Sequence, residues 1–195
     1  MPQTSFQVEE HPGVSVVRLK SDDGTNRLTR TCVISLGERL HGLRREARGL
    51  IITGNGRFFS VGADLEEIAA LNGPAAFEFS RLGQSLMATI ENFPAPVYAA
   101  ISGYCMGGGL DLALACHRRI AAPNAIFGHR GAALGLMTGW GGTQRLPRLI
   151  GKARALEVFV AAEKVSAAQA LRMGLIDRIA DDPIAEACRR IRETR

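Results

Sequence analysis

The chain has 195 residues, 46% of them hydrophobic and 22% charged, long enough to bury about 70% of the surface of its extended form and of a composition that excludes disorder, collagen and a small disulfide scaffold. Lys and Arg number 24 against 19 Asp and Glu, a net charge of +5, which permits acidic partners such as phosphorylated cofactors or nucleic acid and selects neither. Cys32, Cys105, Cys116 and Cys188 show no CxxC spacing and predict reduced, buried thiols in a cytoplasmic protein. The N-terminus has no basic region followed by an apolar stretch, and no run approaches the length of a membrane span, so a soluble protein is expected.

Residues 14–19 mix β-branched residues with flanking turn formers and predict an early edge strand, closed by Ser21-Asp22-Asp23-Gly24. An amphipathic helix follows over 31–48, where Val33, Leu36, Leu40 and Leu43 recur at helical spacing before Gly49 stops the pattern. Residues 50–53 and 97–101 read as short buried strands, each running into a glycine-bearing turn. Between them lie helices over 64–70 and 74–92, the second with Phe77, Leu82, Leu86 and Ile90 as its apolar stripe. A glycine loop, a helix over 108–116 and strands near 119–121 and 125–127 come next, then helices over 143–150, 153–162, 167–173 and 183–192, with Gly151 and Gly174 as stops. The order favours an α/β core. With no linker and no internal period, residues 1–195 form a single domain whose 143–195 region is predominantly helical.

Eleven of the 22 glycines fall between Gly103 and Gly151. Gly107, Gly108 and Gly109 sit after a strand and open the helix Leu110 to Cys116, where backbone amides unobstructed by side chains, aided by the helix dipole, suit a phosphate or the oxygen of an attacked or enolised carbonyl. Close packing of a helix on a sheet is the other reading of the same glycines. The turn Gly54-Asn55-Gly56, followed by Phe58 to Leu65, makes a second amide-rich segment after the other buried strand, and two such turns can converge at strand ends. Neither is a nucleotide fingerprint, because Gly103-Tyr-Cys-Met-Gly107 lacks the glycine spacing and no GxxxxGK[ST] occurs. His11, His41, His117 and His129 have no metal-ligand spacing, and Asp22-Asp23-Gly24 is too brief for a calcium loop. Cys105 and Cys116 lack a framed histidine and read as core thiols. His117-Arg118-Arg119, Arg44-Arg45 and Arg189-Arg190 read as solvated rim, since none joins aromatic residues in a nucleic-acid groove.

Four blocks carry a resemblance. Phe59-Ser-Val-Gly-Ala-Asp-Leu65, Ile101-Ser-Gly-Tyr-Cys-Met-Gly-Gly-Gly-Leu-Asp-Leu-Ala113, Trp140-Gly-Gly-Thr-Gln-Arg-Leu146 and Ser166-Ala-Ala-Gln-Ala-Leu-Arg-Met-Gly-Leu-Ile176, in this order and spacing, resemble the enoyl-CoA hydratase/isomerase (crotonase) superfamily. The resemblance implies a crotonase-like spiral of ββα units with a shortened C-terminal helical region, and hence a more open pocket or assembly contacts placed elsewhere. It also implies an acyl-CoA thioester as substrate, with coenzyme A as part of it and no separate cofactor, and a homotrimer or dimer of trimers. No nucleic acid, membrane or metal enters this expectation.

Carried over position by position, the family's oxyanion hole falls on the backbone N–H groups of Ala63 and Gly108, with thioester contacts along Ser60, Val61, Ala63, Gly107 and Gly108. Asp64 reads as a turn or N-cap residue. The family's two hydratase glutamates fall on Asp111 and Gly131, one carboxylate shortened and the other absent. Asp111 is the foremost general acid/base candidate, with a helix-dipole role as the alternative; His129 is the nearest polar replacement for the second acid, followed by Arg130. The expected activity is enoyl-CoA hydration through an oxyanion-stabilised enolate. One-carboxylate isomerisation and a noncatalytic acyl-CoA-binding or assembly role are the alternatives.

Overall fold

Three neighbouring strands buried on both faces set the architecture. The computed structural model describes residues 5–45 and 48–193. Its strands are β1 (Phe6–His11), β2 (Val14–Leu19), β3 (Arg27–Leu28), β4 (Leu50–Thr53), β5 (Phe58–Ser60), β6 (Gly62–Ala63), β7 (Val97–Ile101), β8 (Tyr104–Met106), β9 (Arg118–Ala121), β10 (Ile126–Gly128), β11 (Val165–Ser166) and β12 (Arg178–Ile179). Its helices are α1 (Arg30–Leu43), α2 (Leu65–Ala69), α3 (Gly73–Glu91), α4 (Gly108–Ala115), α5 (Gly142–Ile150), α6 (Lys152–Ala161), α7 (Ala167–Met173) and α8 (Pro183–Glu193).

A six-stranded sheet runs in the order β1-β2-β4-β7-β9-β12, a four-stranded sheet in the order β11-β10-β8-β5, and β3 pairs with β6. In the larger sheet only β1 is antiparallel to its neighbour. Three times the chain lays a strand in the large sheet and places the next in the smaller one, β4 then β5, β7 then β8, β9 then β10; the first two passages return through helix, and the third adds β11 to the smaller sheet before α7 leads back to β12. This is the mixed α/β, ββα-type arrangement expected from the sequence.

The large sheet is covered on both faces. Leu50 and Ile52 of β4, with Val97, Ala99 and Ile101 of β7, join the main core, whereas Ile51, Tyr98 and Ala100 point the other way onto Ala187 and Ile191 of α8. Period-two alternation with both sets apolar is what a strand buried on two faces requires, and each such Val, Leu or Ile contributes roughly 1.5–3 kcal/mol.

Several expectations change. Residues 14–19 form an interior strand, because β1 pairs along their whole length and takes the edge; the polar alternation of Phe6–His11 fits a strand with one wet face. In α3 the buried face is Phe79, Gly83, Leu86, Met87 and Ile90, and Phe77 is 65% exposed, so the stripe was displaced by two residues at its start. Helix α1 starts at Arg30 under a Thr29 cap whose hydroxyl accepts from the Cys32 N–H at 3.2 Å and closes at Leu43; the expected continuation across residues 46–47 lies outside the described residues. The glycine loop after β7 contains a strand of its own, β8, and the short strands β3, β6, β11 and β12 had no recognisable pattern at two residues each. Among the described residues no helix is long and apolar enough to cross a membrane.

Candidate functional site

The site begins where the two glycine turns meet. After β5 the chain bends through Gly62, whose φ of +95° is a conformation L side chains rarely adopt. A Cβ there would lie 2.7 Å from both the Gly108 nitrogen and the Met106 oxygen, so only glycine lets the two backbones touch. On the other side a Cβ at Gly108 would stand 3.2 Å from the Ala63 nitrogen. The residues whose N–H groups were assigned to the oxyanion hole are thus neighbours in space. Gly108 is also the first residue of α4, so its amide has no helical carbonyl behind it and sits at the positive end of the dipole. Gly107 is anchored by its N–H to the Gly128 oxygen at 2.9 Å.

The neighbouring turn is held by polar side chains. Ser60 is fully buried, and its hydroxyl donates to the Asn26 oxygen at 2.7 Å while accepting from the Gly62 N–H at 3.0 Å. Asp64 caps α2, one oxygen accepting from the Glu66 and Glu67 amides at 2.9 and 3.1 Å, as its N-cap reading predicts.

Behind Gly108 lies Trp140, 3% exposed. Its indole N–H donates to the Phe79 oxygen at 3.3 Å, its ring meets the Phe79 ring at 5.3 Å, and a Cβ on Gly108 would come within 2.6 Å of it. The indole therefore fixes the distance between α3 and the start of α4.

Asp111, one turn into α4 and 1% exposed, faces the same space. Its Oδ1 lies 3.0 Å from His129 Nε2, and its Oδ2 accepts a hydrogen bond from the Thr138 hydroxyl. His129, at the end of β10 and 4% exposed, packs its ring on Phe159 at 5.1 Å. Gly142 presses on all three: a Cβ there would collide with Asp111 Oδ1 and lie 3.0 Å from Thr138 Cγ2 and 3.1 Å from His129 Nε2. The structure brings Asp111 and His129 together, 18 positions apart in sequence. Thr138 is the partner that sequence reasoning missed, because a lone threonine in a glycine-rich loop carries no local signal. Trp140 was recognised only as part of a motif.

Gly131 opens a short 3₁₀ turn, Gly131–Leu134, closed by the Leu136 N–H donating to the Gly131 oxygen at 2.8 Å. A Cβ at 131 would stand 2.7 Å from the Leu136 oxygen, so the turn is built around the missing side chain. Arg130 is exposed beside it and makes the wall with Gly131.

These groups line one cleft of about 720 Å³, to which Val61, Ala63, Gly107, Gly108, Asp111 and His129 all contribute. Ser60 does not reach its wall. The mouth is apolar and basic: Leu134 and Met137 are 59% and 60% exposed, Lys164 lies 5.1 Å above the Tyr104 ring, and Arg27 pairs with Asp23 and, at 3.2 Å, with Asp64. No group of three His, Cys, Asp or Glu suited to a metal ion occurs among the described residues. Burial pushes the Cys116 thiol up to about 12 and the Cys105 thiol well above its ordinary value, so neither supplies a thiolate nucleophile.

The expected solvated rim at 117–119 holds for His117 and Arg118, which are exposed, and is corrected for Arg119. Arg119 is 6% exposed and donates to the Leu175 oxygen at 2.9 Å, the Cys116 oxygen at 2.8 Å and Asp177. His117 accepts from the Val97 N–H at 2.9 Å on Nδ1 and meets the Glu91 oxygen at 3.0 Å on Nε2. Both tie the start of β9 to its neighbours.

Comparison with known proteins agrees with this geometry. Residues 9–193 match the family described as enoyl-CoA hydratase/isomerase. A probable enoyl-CoA hydratase of Bacillus subtilis (strain 168) is 48% identical over 136 residues, 69% of this chain and 53% of that protein. The crotonyl-CoA hydratase of Syntrophomonas wolfei is 35% identical over 182 residues, 92% of this chain and 70% of the relative. The chain thus spans about half the length of the first of these relatives. Among solved structures, Pseudomonas aeruginosa DspI superposes with a TM-score of 0.93 at 33% identity over 98% of this chain and 80% of that one. An enoyl-CoA hydratase from Bacillus anthracis gives 0.91 at 33% identity over 97% and 76%. With the family match running through both amide turns and the Asp111 helix, the chain belongs to the enoyl-CoA hydratase/isomerase family, of the crotonase superfamily.

Proposed function

We propose that this chain carries the catalytic site of an enoyl-CoA hydratase-like enzyme acting on acyl-CoA thioesters. The observation that carries the reading is the meeting of Ala63 and Gly108 at a helix start, in the same cleft as a buried carboxylate–imidazole pair. Hydration adds one water across the conjugated double bond: the hydroxyl goes to C3, electron density moves to the thioester oxygen, and C2 then takes a proton. The two backbone N–H groups stabilise the oxygen as it becomes negative, a contribution of about 2.7–4 kcal/mol per donor in comparable sites. The Asp111–His129 pair orients the water and moves the proton, the work of paired acids within hydrogen-bond reach. Val61, Ala63, Gly107 and Gly108 form the wall along the thioester, and Ser60 acts through the turn it pins. Substrate coenzyme A is the only cofactor-like group the scheme requires.

Residues 1–195 act in this reading as one domain with a predominantly helical 143–195 region, in a cytoplasmic homotrimer or dimer of trimers. The test is turnover of short and medium enoyl-CoAs by purified protein, with Asp111→Ala alongside. Hydrated product above the Asp111→Ala background is expected; its absence refutes the reading. Gly131 favours a second one, since a cleft with no acid at that position suits one-carboxylate isomerisation, and a shifted double bond in the product would select it. Acyl-CoA binding without either product would select the noncatalytic binding protein.

A further inference from the structure

Asp111 has no oxygen to spare. Oδ1 is engaged by His129 Nε2 at 3.0 Å and Oδ2 by the Thr138 hydroxyl, while Gly142 closes the side on which the carboxylate would otherwise turn. The Thr138 oxygen in turn accepts from the Trp140 N–H at 3.4 Å. A threonine hydroxyl has one proton. The backbone Trp140 N–H is directed at its oxygen, and the hydroxyl donates its proton to Asp111 Oδ2. With Oδ2 taken by the hydroxyl, Oδ1 is the oxygen left for the imidazole; an Nε2 proton directed at it leaves Nδ1 as the acceptor nitrogen of the ring.

We infer that Thr138 is a positioning residue for the proton-transfer pair: it pins Asp111 in the rotamer that selects the Nε2–H tautomer of His129. The inference rests on the proposed hydratase-like reading for its kinetic consequence but not for the tautomer itself. It also assigns the pair an order, with the carboxylate as anchor and the imidazole as the group that moves the proton. Thr138 is linked through Trp140 to the ring that sets the Gly108 spacing, so the loop carrying both residues couples the proton donor to the oxyanion amides.

Thr138→Val removes the hydroxyl and keeps the shape, whereas Thr138→Ser keeps the hydroxyl. In the Val variant kcat for enoyl-CoA hydration is expected to fall about 10–100-fold, the effect of a misplaced catalytic group, with KM within about threefold, and the Ser variant is expected to recover most of the rate. Nitrogen-15 NMR of the histidine rings, assigned with a His129→Gln variant, reads the tautomer in protein without substrate: Nε2–H alone in the unmodified and Ser forms, a mixture in the Val form. An unchanged tautomer in Thr138→Val, or a kcat within about threefold of the parent, overturns the inference. If Thr138→Val fails to fold, Thr138→Ala takes its place under the same two readouts. A parent chain that hydrates no enoyl-CoA refutes the proposed function, and the tautomer measurement then decides the role of Thr138.

Discussion

Gly108 and Gly83 press on opposite parts of the same indole, and this separates packing from chemistry. A Cβ on Gly108 would lie 2.6 Å from Trp140 Cζ3 and 3.2 Å from the Ala63 nitrogen; a Cβ on Gly83 would run into Trp140 Cδ1 and Nε1 and meets no atom of the amide pair among its nearest contacts. Overpacking of this kind costs about 1–3 kcal/mol, and the helix preference of alanine over glycine offsets up to about 1 kcal/mol of it. For a chain of this length the unfolding entropy is about 0.4 kcal/mol per kelvin, so either Gly→Ala variant should lower Tm by no more than about 7 °C. The rates should diverge. In Gly108→Ala the new methyl stands 3.2 Å from the Ala63 nitrogen, beside the amides proposed to hold the thioester oxygen, and loss of an oxyanion donor lowers kcat by about 10²–10³. In Gly83→Ala the indole must shift but the new methyl meets neither amide, so kcat should stay at least about tenfold above that of Gly108→Ala. The assay is loss of enoyl-thioester ultraviolet absorbance, run well below the lower Tm, with circular dichroism confirming that both variants are folded. A Gly108→Ala protein with the rate of Gly83→Ala would refute the assignment of the hole to this backbone.

Gly131→Glu, which places an acid at the vacant position, should not raise hydration activity, because its Cβ meets the Leu136 oxygen at 2.7 Å and the turn must shift to admit it; steady-state kinetics and thermal melting check this, and a higher kcat would show that the turn yields. Arg119→Met leaves the Leu175 and Cys116 carbonyls and one face of Asp177 without a donor, a loss of about 2–3 kcal/mol expected as a lower urea midpoint; a midpoint equal to the parent's would mean water replaces the guanidinium. Hydrogen bonds from Arg189 and then Arg190 hold the Glu186 carboxyl down to about 2 in the folded protein, against an ordinary 4.5. The stability it contributes is present above the unfolded value and lost as pH falls from about 4.5 toward 2, so Glu186→Gln should flatten the acid limb of a Tm-against-pH curve, and an unchanged limb would refute the linkage.

Long apolar patterns survived translation into structure because one periodicity decided them. Leu50–Thr53, Val97–Ile101 and Ala167–Met173 were read with the bounds they have, each being either apolar on both faces or bounded by strong punctuation, such as Ser166, whose capping box with Gln169 starts α7, and Gly174, which ends it. Pairing partners were illegible. Nothing local in Val14–Leu19 says whether it is an edge, since that depends on whether Phe6–His11 folds back along it. Two-residue strands such as Arg27–Leu28 exist only because Gly62–Ala63 lies beside them. The misplacement at Phe77 has the same origin: with Phe77, Phe79 and Leu82 all apolar, helical spacing fits more than one phase, and contact with Trp140 selects Phe79.

The site divides along a similar line. Its backbone half was partly legible: the glycine turns marked a close approach of two segments, which the structure places at Gly62 and Gly108, while the resemblance supplied the choice of Ala63 and Gly108 over plain packing. The side-chain half was not, because a hydrogen-bonded cluster assembled from α4, β10 and a loop has no spacing to recognise. Asp111 came from the family resemblance, as the shortened counterpart of one hydratase acid; His129 came only as the nearest polar neighbour of an absent acid, and Thr138 not at all. Their grouping still has a physical signature once the fold is known. A carboxylate this deeply buried must find donors for both oxygens, and Gly142, by leaving out one methyl, lets α5 close over them. Gly131 brings no second carboxylate to the cleft wall, and His129 and Thr138 both bind the first; in the proposed hydration the proton-moving role then falls to the imidazole.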